Sequence, residues 1–248
     1  MPLPAILRTL LLVLPAALFI AFAVPVVMIP VTWVIRDIRP IYEVSRYALR
    51  TLFWLAGVRL EPRGYDPFTA PRPSVFVANH VSNLDPPIAY TVLPRVAIMG
   101  KASVFRWPFF GHALKIAEFI PVDRGRTESR KHALQAGMDR LRRGISLLIF
   151  PEGTRSRDGA LLPFRPGPFT MAIDAQAPIV PFTIRGTRHV MPKGQLAIFS
   201  GRVTLEFYPP IPTAGLTQKD REELMRRTRS AIEAGLGATG PLPDRVST

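Results

Sequence analysis

The sequence predicts an α/β fold: a mixed sheet covered by helices, preceded by an apolar helical segment that anchors the chain to a membrane. Three observations carry this reading. Short runs of β-branched and apolar residues alternate with amphipathic helical patterns across residues 59–236. No charged residue occurs between Thr9 and Ile35. Several of the apolar runs end in loops that carry His, Asp, Glu, Gly, Lys and Arg, and α/β folds place their chemistry at strand ends.

The N-terminal run comes first. An uncharged apolar stretch of about 18 or more residues is a membrane-segment candidate. Arg8 precedes it, and Arg36, Arg39, Arg46 and Arg50 follow. A cleaved signal peptide fits poorly, because the chain runs on into Arg36-Asp37-Ile38-Arg39-Pro40 with no small-residue cleavage site. A single spanning helix would be oriented by the following arginines, leaving the rest of the chain cytoplasmic. A dipping hairpin is the other arrangement, and two features favour it. Pro25 and Pro30 interrupt the run, and the segment Tyr42–Leu55 is a second amphipathic stretch that could lie in the same leaflet. Residues 1–58 are therefore read as membrane-associated helices, 59–236 as the α/β domain and 237–248 as a disordered tail.

The strands follow in order. Arg63–Pro67 and Pro71-Arg72-Pro73 read as turn and linker. Strands are expected at 74–78, 96–100, 119–122, 146–150, 179–184 and 203–208; Pro121 marks the third as an edge. Helices are expected from Glu128 to Arg143, from Phe169 to Ala175, and from Thr217 to Leu236 with Thr217 as N-cap.

Composition narrows the function. Lys and Arg number 32 against 18 Asp and Glu, a formal charge of +14. Such a balance suits nucleic acid, an anionic membrane or an acidic carrier protein, and the apolar N-terminus selects the membrane over nucleic acid. The absence of cysteine removes disulfides, thiolate ligands and a cysteine nucleophile. With four histidines and no cysteine, no metal site is expected. His112, His132 and His189 read as structural or surface residues.

His80 stands at the end of the first expected strand, five residues ahead of Asp85. An imidazole titrates near neutrality, so His80 suits a general base, and Asp85 suits the group that fixes its tautomer. Asp85 before Pro86-Pro87 also reads as an ordinary helix cap. The loop Glu152-Gly153-Thr154-Arg155 follows another strand. Glycine lets a backbone approach a ligand, and arginine offers a planar donor for phosphate; a plain turn with a surface ion pair is the alternative. Lys101 and Arg124 end two more strands. Together with Arg155 they would converge on one edge of a sheet.

These blocks resemble a known family. Asn79-His80-Val81-Ser82-Asn83-Leu84-Asp85 is similar to the NHxSxxD motif of the glycerolipid acyltransferases. Phe119–Arg124, Phe150–Ser156 and Val180-Pro181-Phe182 resemble that family's three later blocks, in the same order, and Lys101 at the head of Lys-Ala-Ser also fits. The branch most resembled is the bacterial 1-acyl-sn-glycerol-3-phosphate acyltransferases. Two departures stand out: Pro121 in the second block, and Pro163-Phe164-Arg165-Pro166-Gly167 where family members often carry two lysines.

The resemblance implies direct acyl transfer. His80 would take the proton of the sn-2 hydroxyl of lysophosphatidic acid, with Asp85 orienting it. The acyl donor would be acyl-CoA or an acidic acyl carrier protein, with no cofactor. Lys101, Arg124 and Arg155 would bind phosphate. Glu152, Gly153 and Thr154 would shape the glycerol site. The place of action would be the cytoplasmic side of a bacterial inner membrane rich in anionic lipid. Another acceptor, such as lyso-ornithine lipid, another lysophospholipid or glycerol-3-phosphate, is the alternative within the enzyme class. A non-catalytic basic module that binds membranes is the alternative outside it.

Overall fold

A computed structural model describes residues 3–237, apart from 124, 193, 194 and 196. The chain opens with α1 (Leu3–Arg8), a π turn (Thr9–Val13) and α2 (Leu14–Ile35), which run as one long helix. It passes through Pro25 and Pro30 without ending. The reversal comes instead at Arg36, whose backbone is left-handed at φ 52°, and α3 (Arg39–Leu55) returns alongside α2. Proline removes one helical hydrogen bond at each site; a segment with so much apolar surface keeps the rest.

The N-terminal residues thus form a helix pair. The helix over Ile6–Ile35 is long and apolar enough to cross a membrane, yet it is tied to the domain along its length. Arg8 Nη2 donates to the Ile198 carbonyl at 3.1 Å, the Ile198 amide donates to Thr9 Oγ1 at 3.0 Å, and the Phe22 ring meets Phe109 edge-on at 4.9 Å. Its other side is bare: Leu11, Phe19, Val27, Trp33 and Val34 are all 60–85% exposed.

Seven strands follow: β1 (Val58–Gly64), β2 (Val75–Ala78), β3 (Val96–Lys101), β4 (Ile120–Val122), β5 (Ser146–Ile149), β6 (Ile179–Arg185) and β7 (Gly201–Phe207). Their order across the sheet is β1-β7-β6-β2-β5-β3-β4. Every pairing is parallel except β6 with β7. β4 lies on the edge, where Pro121 costs no ladder bond. The sequence reading missed β1 and took Arg63-Gly64 as a turn. Its Arg59, Glu61, Pro62 and Arg63 give it no strand signature; it forms because β7 pairs with it and because Arg202 reaches Glu61 at 2.8 Å.

The remaining helices are α4 (Asp85–Val92), α5 (Phe110–Ile116), α6 (Thr127–Arg142), α7 (Gly167–Asp174), α8 (Thr187–Val190) and α9 (Arg221–Gly237). The expected last helix begins as a 3-10 turn at Gln218–Asp220, capped by Thr217 in a reciprocal box with Asp220. Gly237 belongs to α9; the rest of the expected tail, 238–248, lies outside the described residues.

Two apolar layers cover the sheet. On one face Phe76, Ala78, Leu148 and Phe182 pack with Tyr42, Phe53 and Ile88. On the other, Val75, Val77, Leu147 and Ile149 pack with Leu141, Phe169 and Ile232. The central strands are buried on both faces, so they read as continuous apolar runs. The N-terminal helices share the first layer and are part of the same core. Tyr42 marks the join. Its ring is buried, and its hydroxyl donates to the Ala117 carbonyl at 2.5 Å, near the Val96 carbonyl at 3.3 Å. Burial pushes the phenol up to about 12, so it remains a donor.

Tyr42→Phe keeps the packing but leaves the Ala117 carbonyl without its partner. We expect a loss of about 1–3 kcal/mol, read as a lower thermal midpoint in detergent. An unchanged midpoint would mean the hydroxyl contributes nothing to docking the hairpin.

Candidate active site

Five parallel strands, β6, β2, β5, β3 and β4, end on one edge of the sheet. The loops after β2 and β5 meet there. Asn79, the first residue past β2, is 2% exposed. Its side-chain amide donates to the Ile184 carbonyl at 2.9 Å and accepts from the Ile184 amide at 2.8 Å. It thereby imitates a backbone unit and extends the β2–β6 pairing into the loop. His80 follows from that fixed starting point.

Asp85 lies at the start of α4, fully buried. Its Oδ2 accepts from His80 Nδ1 at 2.8 Å and from the Val81 and Ser82 amides, both at 2.7 Å. A helix N-cap accepts from amides ahead of it in the chain; Asp85 accepts from amides behind it. The capping alternative for this residue therefore fails. Because Oδ2 already serves two amides as acceptor, Nδ1 meets it as a donor and Nε2 is the ring nitrogen left to accept. The Ser82 hydroxyl closes the loop by donating to the Met191 carbonyl at 3.0 Å.

The β5 loop holds His80 from the other side. The His80 amide donates to Glu152 Oε1 at 2.7 Å, the Leu162 amide donates to Oε2 at 3.0 Å, and the Ser156 amide donates to the His80 carbonyl at 2.8 Å. Phe150 stacks on the imidazole, with ring centroids 4.4 Å apart. Glu152 is 3% exposed, so the surface-pair reading of this loop fails as well. Burial pushes the Glu152 carboxyl up; the Leu162 and His80 amides pull it back down, Asp85 raises it and Arg229 lowers it. Gly153 has φ +69°, and the Arg165 side chain lies where a Cβ would project, 2.5 Å from Nε. A larger residue there would be strained and would displace Arg165.

The other expected site residues are more dispersed. Thr154 is exposed and Arg155 half-buried beside this loop. Lys101 is exposed at the end of β3, two strands from β2 on the same edge. Arg124 lies outside the described residues. His112, His132 and His189 are exposed. Beside Leu84, an apolar cavity of about 180 Å³ opens between the N-terminal helix and α3, lined by Val13, Leu14, Leu52, Phe53 and Pro87 among others.

Sequence reasoning missed two supports. Phe150 appears in the sequence as the end of a strand, and nothing there shows that it floors the imidazole. Arg229, on α9, donates to the Leu162 and Leu161 carbonyls at 2.9 and 3.0 Å and so holds the segment that binds Glu152. No local signal links a surface helix to a loop so distant in the chain. In the sequence Asn79 is visible only as part of its motif; its pairing role needs β6.

Comparisons with known proteins bear on the family and the fold. A family profile described as Acyltransferase matches residues 59–185. The 1-acyl-sn-glycerol-3-phosphate acyltransferase alpha of Homo sapiens is 33% identical over 192 residues, covering 77% of this chain and 68% of the human protein. The chloroplastic 1-acyl-sn-glycerol-3-phosphate acyltransferase BAT2 of Brassica napus is 37% identical over 143 residues, 56% of this chain and 41% of the relative. The crystal structure of the 1-acyl-sn-glycerophosphate (LPA) acyltransferase PlsC from Thermotoga maritima superposes with a TM-score of 0.78 over 96% of this chain and 100% of that one, at 23% identity. That last likeness is one of fold.

Glu152 faces two amide donors, and only a carboxylate offers an acceptor to each. In Glu152→Gln one amide meets an NH₂ group instead. We expect a loss of about 1–3 kcal/mol together with reduced turnover, because His80 loses its backbone anchor. A variant with wild-type thermal midpoint and wild-type turnover would show that Glu152 is dispensable to the loop.

Proposed function

We propose that this chain, which belongs to the acyltransferase family, moves a fatty acyl group from a thioester to the sn-2 hydroxyl of 1-acyl-sn-glycerol-3-phosphate, giving phosphatidic acid. The observation that carries the mechanism is the buried His80–Asp85 pair, 2.8 Å apart through Nδ1, which leaves Nε2 for the substrate. The names of the relatives support the acceptor.

His80 Nε2 takes the hydroxyl proton as the sn-2 oxygen attacks the thioester carbonyl. A C–O bond forms, the C–S bond breaks, and the proton passes from Nε2 to the departing sulfur. Asp85 holds the ring in the right tautomer and stabilises its cationic form. The reaction needs no covalent enzyme intermediate and no cofactor. Lys101, Arg124 and Arg155 are assigned to phosphate, since arginine offers a planar fork and lysine a point charge for that group. Glu152, Gly153 and Thr154 form the wall beside the glycerol. The apolar cavity next to Leu84 suits the end of a fatty chain.

The exposed apolar side of the N-terminal helices is the membrane contact. Both ends of the hairpin stay with the domain, which favours a helix pair lying in one leaflet. The charge of +14 suits anionic lipid and an acidic acyl carrier. The cytoplasmic face of a bacterial inner membrane supplies all of these.

The test is acyl transfer to 1-acylglycerol-3-phosphate in detergent micelles, with labelled acyl-CoA and acyl-carrier protein compared as donors. Wild type should form phosphatidic acid. His80→Ala should lose about 10²–10⁴-fold or more in kcat, and Asp85→Asn should fall with it while its KM stays near wild type. Product from His80→Ala at the wild-type rate would remove the base from the mechanism. Arg155→Ala should lose far more activity toward phosphorylated acceptors than toward phosphate-free lysolipids; equal losses would point to a phosphate-free natural acceptor.

A further inference from the structure

The large apolar side chains that stand exposed are concentrated in the N-terminal hairpin, between Leu7 and Trp54. Among the described residues three others join them: Phe68, Trp107 and Phe109. Trp107 is 57% exposed and Phe109 46%. Both lie between a 3-10 turn (Ala102–Arg106) and α5, in the connection that leaves β3 at the edge where His80 sits.

This connection is built to hold them out. Phe109 has φ 57°, a backbone region that a bulky residue rarely occupies. Gly111 packs so tightly on the Phe105 backbone that a Cβ there would overlap the Phe105 carbonyl. Phe105 itself is buried. The turn is thus anchored from beneath and its aromatics face outward. The Phe22–Phe109 contact makes its surface continuous with the bare side of the N-terminal helix.

Charge completes the pattern. From Val96 to Ala117 the charged residues are Lys101, Arg106 and Lys115, with no Asp or Glu; all three are exposed. Aromatic rings flanked by basic residues suit the interface between lipid headgroups and acyl chains.

We propose that the segment Ala102–Phe110 is a second membrane-contacting element, in which Trp107 and Phe109 enter the acyl boundary beside the N-terminal hairpin while Arg106 lies at the level of the lipid phosphates. The proposal rests on the membrane reading of the hairpin. Two contacts instead of one fix the tilt of the domain, so the strand-end edge faces the headgroups from which the acceptor comes.

The chain has three tryptophans, Trp33, Trp54 and Trp107. Trp33→Phe with Trp54→Phe leaves Trp107 as the sole reporter in the full-length protein. Co-sedimentation with vesicles of phosphatidylglycerol and phosphatidylcholine first establishes binding. Trp107 emission should then shift to the blue and be quenched by lipids brominated near the glycerol end of the chain. Binding with unshifted, unquenched emission overturns the proposal and leaves the hairpin as the contact. A protein that does not sediment with the vesicles overturns both the hairpin reading and the proposal. A shift produced by an acidic carrier protein, with none from vesicles, overturns it in favour of a protein partner. In the otherwise native chain, Trp107→Ser with Phe109→Ser should weaken vesicle partitioning about tenfold yet leave turnover of a soluble short-chain acceptor at the wild-type rate. Unchanged partitioning would count against the proposal.

Discussion

Oδ2 of Asp85 collects three donors, the imidazole Nδ1–H and two successive amides, and the loop from Asn79 to Asp85 is shaped around that convergence. Charge-assisted bonds are about twice as strong as neutral ones, and none of these donors has water as an alternative in so buried a place. Take the carboxylate away and three buried N–H groups would be left unpaired, each at a cost of about 1–3 kcal/mol. The same bonds that orient His80 therefore also keep the loop folded. Glu152 repeats the device one strand over, with two amides on two oxygens, and its upward-shifted carboxyl reflects the desolvation this entails.

Between them, the two carboxylates hold His80 from opposite sides, while Asn79, the residue before it, is tied to β6 and Phe150 supports its ring. Little rotation is left to the imidazole. Under the proposed mechanism such rigidity has a catalytic value, because a group already pointed at its proton spends no energy on reorientation when the reaction begins. The supports come from β2, β5, β6, α4 and, through Arg229, from α9. The placement of His80 thus depends on most of the sheet being in place.

Much of this was legible in the sequence, for physical reasons. Strands buried on both faces announce themselves as short apolar runs, and the expected strands at 74–78, 146–150 and 179–184 lie within a residue or so of β2, β5 and β6. His80, Asp85 and Glu152 stand out in the sequence because their residue types carry chemistry, and the structure brings them together. What stayed hidden depended on partners far along the chain. β1 is charged and forms through pairing with β7, about 140 residues later. The helix survived two prolines and turned at Arg36, where no glycine signals a left-handed residue. Lys101 stands on the same edge as His80, as the convergence of strand ends required, but the sequence held no measure of how far apart they lie.

The shared core has a consequence for anyone who wishes to handle this protein without lipid. Met28, Ile41, Tyr42, Leu52 and Phe53 of the N-terminal helices are packed into the layer that also holds Phe76, Leu148 and Phe182. Cutting the chain ahead of β1 would not release a soluble catalytic half; it would strip one face of the sheet and trade one exposed apolar surface for a raw, aggregation-prone one. A water-soluble version has to be made by redecorating the outward side of the long helix, at positions such as Leu11, Phe19 and Val27, while its inward side is kept. In that sense the anchor is no appendage but a wall of the enzyme, with paint on one side only.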